Sequence, residues 1–194
     1  MEKPIKITGR PSPELIEKEI KRRKSEQEFL KSLLETLQFI IVISAVSVLI
    51  STLMFSVLRV SRSSMAPTFY DGEIIITLRH AGINRGDVIA FYYNNKLLVK
   101  RVIAMVGDWV DIDEDGVVYV NENALDEPYV RERSLGTCDI ELPYQVPDHA
   151  FFMMGDQRAT SIDSRTRDIG PIEREMIEGK VVLRIWPLTR LKLF

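Results

Sequence analysis

The apolar positions of the chain are concentrated in one uninterrupted run near its beginning. Glu35 and Arg59 bracket 23 residues without a charge, which are rich in Ile, Val, Leu and Phe. A helix rises about 1.5 Å per residue, so such a run can cross a hydrocarbon core about 30 Å thick. A buried core helix usually carries polar residues at helical spacing, and a cleavable signal peptide has a shorter apolar core near the N-terminus. We therefore predict an uncleaved transmembrane helix over residues 36–58.

The charges on the two sides of this run predict its orientation. Six basic residues lie within about 20 positions before it, whereas only Arg59 and Arg62 lie comparably close after it. The positive-inside rule then places residues 1–35 in the cytoplasm and residues 59–194 on the outer side. The first 11 residues hold two prolines and a glycine and are expected to stay loose. Ser12-Pro13-Glu14 is typical of a helix start.

The part of the chain after the apolar run has the composition of a β domain. Six segments are rich in β-branched and aromatic residues: Glu73–Leu78, Asp87–Tyr93, Lys96–Val106, Gly116–Val120, Ala150–Met154 and Lys180–Trp186. Asn94-Asn95 and Asp113–Gly116 are typical of tight turns between strands. Residues 59–194 are therefore expected to form one mainly β domain.

Charge and cysteine content narrow the function classes. After residue 36 there are 17 Lys and Arg against 21 Asp and Glu, a net charge of −4. This balance argues against a nucleic-acid partner. The single cysteine, Cys138, excludes an internal disulfide, and two histidines without a cysteine pair leave no metal site of the usual spacing.

Ser64, in the polar string just after the apolar run, is a candidate nucleophile. A serine nucleophile needs a base, and His80 and His149 lie in ordinary turn-like contexts. A buried lysine is another known base, and Lys100 lies in the strongly apolar segment Leu97–Ile103. Side chains alternate along a strand, so Lys100 is expected to share a face with the apolar residues two positions before and after it. Taken alone, such a lysine is more commonly an edge residue whose amine reaches solvent.

A second candidate segment, Gly155–Arg165, mixes small, acidic and basic residues directly after the apolar Phe151–Met154. One interpretation is a solvated loop with local ion pairs. The other is a rigid support around a lysine that must stay neutral.

Four blocks of the chain resemble the bacterial type I signal peptidases, which are membrane-bound endopeptidases with a catalytic serine and lysine. The blocks are Ser64–Thr68, Arg85–Phe91, Val99–Ile103 with Gly107-Asp108, and Gly155–Arg165. They occur in the family's order behind a single predicted anchor, and the match covers most of the chain after residue 36. The resemblance implies a catalytic domain of two antiparallel β-sheets and no cofactor.

The resemblance also implies roles for individual residues. Ser64 is the nucleophile, with its backbone N–H helping to hold the oxyanion, and neutral Lys100 is the general base. Ser161 is expected within hydrogen-bonding reach of Lys100, with Asp163 and Arg165 as an ion pair beneath the site. The apolar surroundings of the lysine are expected to be Phe91, Leu98, Met153, Met154 and Ile162. Arg62 and Arg101 are further supporting residues, and Val60, Met65, Leu98 and Val99 are expected to bind the substrate.

The chain departs from the family pattern at a few positions. Gln157 stands where the family usually has Asn, Arg62 stands where it has Ser or Gly, and the base block ends in Ala104–Asp108. If residues 60–64 are extended, Arg62 and Ser64 face the same side. Arg62 then either donates to the oxyanion or points to solvent and lipid phosphates.

The predicted function is cleavage of signal peptides from exported preproteins that carry small residues at the first and third positions before the cut. The other expected partner is membrane lipid, and the expected location is the cell membrane. A self-cleaving repressor-type protease with Ser and Lys is one alternative. A non-catalytic membrane protein that binds exported chains and a single-pass structural scaffold are the others.

Overall fold

A computed structural model describes residues 12–194, so the expectation for the preceding tail lies outside the described residues. Helix α1 runs from Pro13 to Met54. Two backbone N–H groups of its first turn donate to the Ser12 carbonyl oxygen at 3.0 and 3.2 Å, which confirms the predicted start. Residues 12–51 belong to one unit, and Thr52–Phe194 form the other. By length and composition, α1 is able to cross a membrane.

The helix ends at Met54 rather than at the predicted Leu58. The next residues, Phe55–Arg59, form strand β1, which pairs antiparallel with β2 (Ile74–Leu78). The Met54 carbonyl oxygen accepts the backbone N–H of Arg79 at 2.8 Å, and the Arg79 guanidinium donates to another carbonyl of the last turn at 3.3 Å. These donors satisfy carbonyl groups that a helix end leaves free. An apolar run is compatible with a helix and with a strand, so its composition alone does not show where the helix ends and β1 begins.

Strand β2 confirms the first of the six predicted segments, and the remaining strands confirm the other five and add short strands that were not predicted. The remaining strands are β3 (Val88–Tyr93), β4 (Lys96–Ala104), β5 (Trp109–Ile112), β6 (Val118–Val120), β7 (Asn123–Ala124), β8 (Tyr144–Gln145), β9 (Ala150–Met154), β10 (Ile172–Glu173), β11 (Ile177–Trp186) and β12 (Lys192–Leu193). Short 3₁₀ helices lie at Arg174–Met176 and Leu188–Arg190. Asn94 and Asn95, both with positive φ, form the predicted turn between β3 and β4.

The strands of the described residues form two antiparallel sheets, as the predicted fold class requires. The larger has the order β1-β2-β11-β3-β4-β9-β10, with β12 also paired to β11. The smaller has the order β7-β6-β5-β8. Strand β9 is buried throughout, and its neighbours are buried over Val88–Phe91 of β3 and Lys100–Ala104 of β4. The apolar side chains of these segments form much of the core. The second half of β4, which begins at Lys100, is therefore held away from water.

Candidate active site

Ser64 lies in a tight loop between β1 and β2 rather than on a strand. Residues 62–68 form bends and turns, and the backbone N–H of Phe69 donates to the Met65 carbonyl oxygen at 2.8 Å. Met65 and Phe69 are buried and anchor this nucleophile loop, whereas Ser64 is half-buried. Arg62 has φ +71°, and its backbone N–H donates to the Asp71 carboxylate at 2.7 Å. The condition that residues 60–64 are extended is therefore not met, because Arg62 lies in a bend and has positive φ.

Lys100 lies on the buried strand β4, with only 2% of its surface exposed. Its cross-strand partner on β3 is Ile89. Ile89 belongs to a cluster of buried apolar side chains that also contains Phe91, Val102 and Met153. Burial lowers the pKa of Lys100 from 10.5 to about 8, against the opposing charge of Asp163. Near neutral pH a tenth or more of the amine is then uncharged, compared with about one in a thousand for an exposed lysine.

The amine of Lys100 is fixed by a buried chain of polar groups. Its Nζ donates to Ser161 Oγ at 2.9 Å, and the Ser161 hydroxyl in turn hydrogen-bonds the Asp163 carboxylate. Arg165 donates to both oxygens of Asp163, from Nε at 2.8 Å and from Nη2 at 2.9 Å. Burial alone would raise the pKa of Asp163, but hydrogen bonds and the charge of Arg165 hold it below its usual range. The carboxylate therefore stays ionised beneath the lysine.

The segment Gly155–Arg165 is mostly buried, so its interpretation as a solvated loop is wrong. Gly155 packs so closely that an added Cβ would lie 2.2 Å from Ser161 Oγ and 2.5 Å from the Ser64 carbonyl oxygen. The same carbonyl oxygen accepts the backbone N–H of Gln157 at 3.1 Å. The segment thus holds the nucleophile loop and the partner of Lys100 against each other, and Gln157 takes part through its backbone.

Arg101, next to Lys100 on β4, connects the strand to the nucleophile loop. It forms a two-pronged ion pair with Asp156, at 2.9 and 2.7 Å. Asp156 also accepts the Thr68 hydroxyl, and the Arg101 guanidinium lies 3.9 Å from the ring centre of Tyr129. The sequence indicated a supporting role for Arg101 but not its partners, which lie far away along the chain.

A second ion cluster braces the other side of the loop and was not predicted. Arg184 on β11 donates to the Thr68 carbonyl oxygen at 2.7 Å and to Glu73 at 3.0 Å. Arg190 donates to the other oxygen of Glu73 at 2.7 Å. Glu73 and Arg184 are buried, whereas the Arg190 side chain is partly exposed. An arginine inside the otherwise apolar Val181–Trp186 was the signal that could have indicated it.

Ser64 and Lys100 line the same cleft, which has a volume of about 340 Å³. All four residues expected to bind substrate, and Arg62, lie on it as well. Its walls consist of Val60, Ser61, Arg62, Ser63, Ser64, Met65, Lys96, Leu98, Val99, Lys100, Thr160, Ile162 and Ile169. A larger cavity of about 490 Å³ around Arg79 and His80 contains neither Ser64 nor Lys100. Within residues 12–194, the backbone N–H of Ser64 donates to no acceptor, so it is free to meet developing negative charge.

The histidines do not lie at this cleft. His80 and His149 are both exposed and both have positive φ, as in turns. Two lysines line the cleft with Ser64, and within the described residues Lys100 is the buried one of the two, whereas Lys96 is exposed.

Residues 33–186 match the family model described as signal peptidase, peptidase S26. The chain belongs to this family. It is 30% identical to a signal peptidase I of Streptococcus pneumoniae, over 72% of this chain and 86% of the relative. It is 32% identical to signal peptidase IB of Staphylococcus aureus, over 84% and 94%. A crystal structure of a signal peptidase I from Enterococcus faecalis has 28% identity, covers 52% of this chain and 97% of its own, and has a TM-score of 0.42.

Family membership makes the chain a serine peptidase, a hydrolase of peptide bonds, of the signal peptidase I type. The family model begins inside α1 and extends into β11, so it includes both the nucleophile loop and Lys100.

Proposed function

We propose that this chain is a membrane-anchored endopeptidase that cleaves signal peptides from exported preproteins with Ser64 and Lys100 as its catalytic residues. The observation that carries the proposal is a buried lysine with a pKa of about 8 in the same cleft as Ser64. The named relatives are signal peptidases I, which supports the substrate class.

The reaction is an acyl transfer in two steps. Neutral Lys100 accepts the hydroxyl proton of Ser64, and Ser64 Oγ attacks the carbonyl carbon at the end of the signal peptide. The oxyanion that forms is stabilised by the free backbone N–H of Ser64. Protonated Lys100 then gives its proton to the leaving amine, and the peptide C–N bond breaks. In the second step Lys100 takes a proton from water, and the water oxygen attacks the acyl carbon. The bond between this carbon and Ser64 Oγ then breaks, Lys100 returns the proton to Ser64 Oγ, and the signal peptide leaves with a free carboxyl end.

The substrate is proposed to bind as an extended strand along the cleft. Val60, Met65, Leu98 and Val99 form its apolar walls. As the resemblance to the signal peptidases implies, these walls are proposed to accept small side chains at the first and third positions before the cut. A preprotein with Phe at either position is expected to remain uncleaved.

The anchor is proposed to be the apolar part of α1, with the N-terminus in the cytoplasm and residues 59–194 outside. The basic residues before the apolar run support this orientation. Protease added to spheroplasts should digest the catalytic domain and spare a tag at residue 1. Digestion of that tag from outside would contradict the orientation.

The test of the catalytic assignment uses detergent-solubilised full-length protein and a preprotein, with the cleavage site read by mass spectrometry. Ser64→Ala and Lys100→Ala should each abolish cleavage, whereas His80→Ala and His149→Ala should retain it. A folded double-histidine variant without activity would refute the serine–lysine assignment. A wild-type protein that binds preproteins without cutting them would instead support a non-catalytic binding function.

A further inference from the structure

The catalytic cleft carries two cations besides Lys100 and no carboxylate. Arg62 and Lys96 both line it, and both are exposed. None of the 13 residues that form its walls is an Asp or Glu. Among residues 12–194, neither the Arg62 guanidinium nor the Lys96 amine has an ion-pair partner within 4.0 Å. Asp71 lies nearby, but it accepts the backbone N–H of Arg62.

The backbone of Arg62 is held in one conformation, which fixes the direction in which its side chain leaves the loop. The left-handed conformation at φ +71° and the bond to Asp71 fix the point from which the side chain leaves the loop. From there its charge acts on Lys100, whose pKa it helps to lower. This influence is the smallest of those that act on the pKa of Lys100, after burial and the charges of Asp163, Arg165 and Asp156. The main consequence of an unpaired arginine at this place is that the cleft is positively charged when no substrate is bound.

A concave site with charges of one sign concentrates ligands of the opposite sign. The ligand of this cleft under the proposed function is an extended peptide, whose side chains alternate between the two faces of the strand. Under the proposed function, the first and third positions before the cut face the apolar walls of the cleft. A side chain at the second position before the cut, or directly after the cut, points away from these walls and is free to reach Arg62 and Lys96.

We propose that Arg62 and Lys96 make this peptidase prefer preproteins with an Asp or Glu beside the scissile bond, at a position that does not need a small residue. The proposal rests on the proposed function, and it concerns selection rather than chemistry. A substrate carboxylate binds the two cations in the ground state and in the transition state alike, so it lowers KM and leaves kcat nearly unchanged.

The test compares three versions of one preprotein, with Asp, Asn or Lys at the second position before the cut, and a second set with the same changes directly after it. In at least one set, the wild-type protein should show a KM about three- to tenfold lower for Asp than for Asn, and a higher KM for Lys. The difference should shrink in about 0.5 M salt, which screens exposed charges. Each variant is judged by its own Asp-to-Asn ratio, so general loss of activity does not affect the comparison.

Arg62→Gln and Lys96→Gln should each reduce that ratio, and the double variant should bring it to about one. Arg131→Gln, which removes an exposed arginine outside the cleft, should leave it unchanged. A wild-type ratio of one in both sets, or a preference that survives the double variant, would overturn the proposal.

The experiment also distinguishes occupation of the two cations by lipid from failure of the proposed function. If an anionic lipid headgroup occupies the two cations, adding anionic lipid to neutral detergent micelles abolishes the preference, and the peptide assignment is then wrong. If no preprotein is cut, or if Ser64→Ala still cuts, the proposed function itself fails.

Discussion

Replacing Lys100 by methionine should abolish activity and yet make the protein more stable at neutral pH. Below pH 8 the fold must hold a charged amine in a site that is 2% exposed. Each pKa unit corresponds to about 1.4 kcal/mol, so lowering the pKa from 10.5 to about 8 corresponds to roughly 3 kcal/mol. Methionine has nearly the same length and no charge, so Lys100→Met should recover a free energy of unfolding of this order.

The pH dependence separates this effect from simple repacking. The folded lysine has the lower pKa, so between about pH 8 and 10.5 the unfolded state binds more protons and wild-type stability rises with pH. Above 10.5 the amine is neutral in both states, and the burial penalty is gone. The stability advantage of Lys100→Met should therefore be largest below pH 8 and should fall by about 1.4 kcal/mol per pH unit above it.

The assay is urea unfolding of the full-length protein in neutral detergent, followed by the fluorescence of Trp109 and Trp186, which both lie in the catalytic unit. Unfolding curves at several values of pH give the difference between wild type and variant. A constant difference across this range would refute the argument, because packing changes do not titrate. If the variant were less stable than wild type at pH 7, burial of the charged Lys100 amine would not reduce the free energy of unfolding, and the argument would be wrong.

The same structure makes three further predictions. Wild-type kcat/KM should rise about tenfold per pH unit up to about pH 8 and then level off, because in the proposed mechanism only neutral Lys100 accepts the proton of Ser64. A flat pH profile below pH 8 would contradict this prediction. Gly155→Ala places a Cβ 2.2 Å from Ser161 Oγ, so it should lower the free energy of unfolding by about 1–3 kcal/mol and reduce turnover at least tenfold. In the control Gly82→Ala the added Cβ enters open space, so stability and turnover should both stay unchanged. Glu73→Gln leaves two arginine side chains without their buried carboxylate and should cost about 3 kcal/mol in urea unfolding; no loss would mean that water or other groups replace it.

Features set by neighbouring residues could be predicted from the sequence. The turn at Asn94-Asn95 and the core strands follow from local patterns, and both were confirmed. Lys100 could be singled out only in combination with Ser64 and the segment Gly155–Arg165, because a lysine in an apolar strand is by itself more commonly an edge residue. The structure places Lys100 at 2% exposure.

The features that escaped prediction depend on contacts between distant parts of the chain. Strand β5 was missed because Asp111 interrupts its apolar pattern, and several other strands are only two residues long. The end of α1 is fixed by Arg79, far along the chain from the helix. The ion pair of Glu73 with Arg184 joins residues 111 positions apart. The apolar neighbours of Arg184 could have indicated that it is buried, but no local pattern names Glu73 as its partner.

The hydrogen bonds beneath the lysine run in one direction only. Asp163, kept anionic, can only accept, so the single hydrogen of the Ser161 hydroxyl is given to it. Ser161 can then only accept from Lys100, as the 2.9 Å contact shows. A neutral amine that donates one hydrogen to Ser161 keeps its lone pair free toward the cleft, which Ser64 also lines. In the proposed mechanism, the proton taken from Ser64 cannot pass on through this chain of hydrogen bonds, so it stays on Lys100 until it is transferred to the leaving amine.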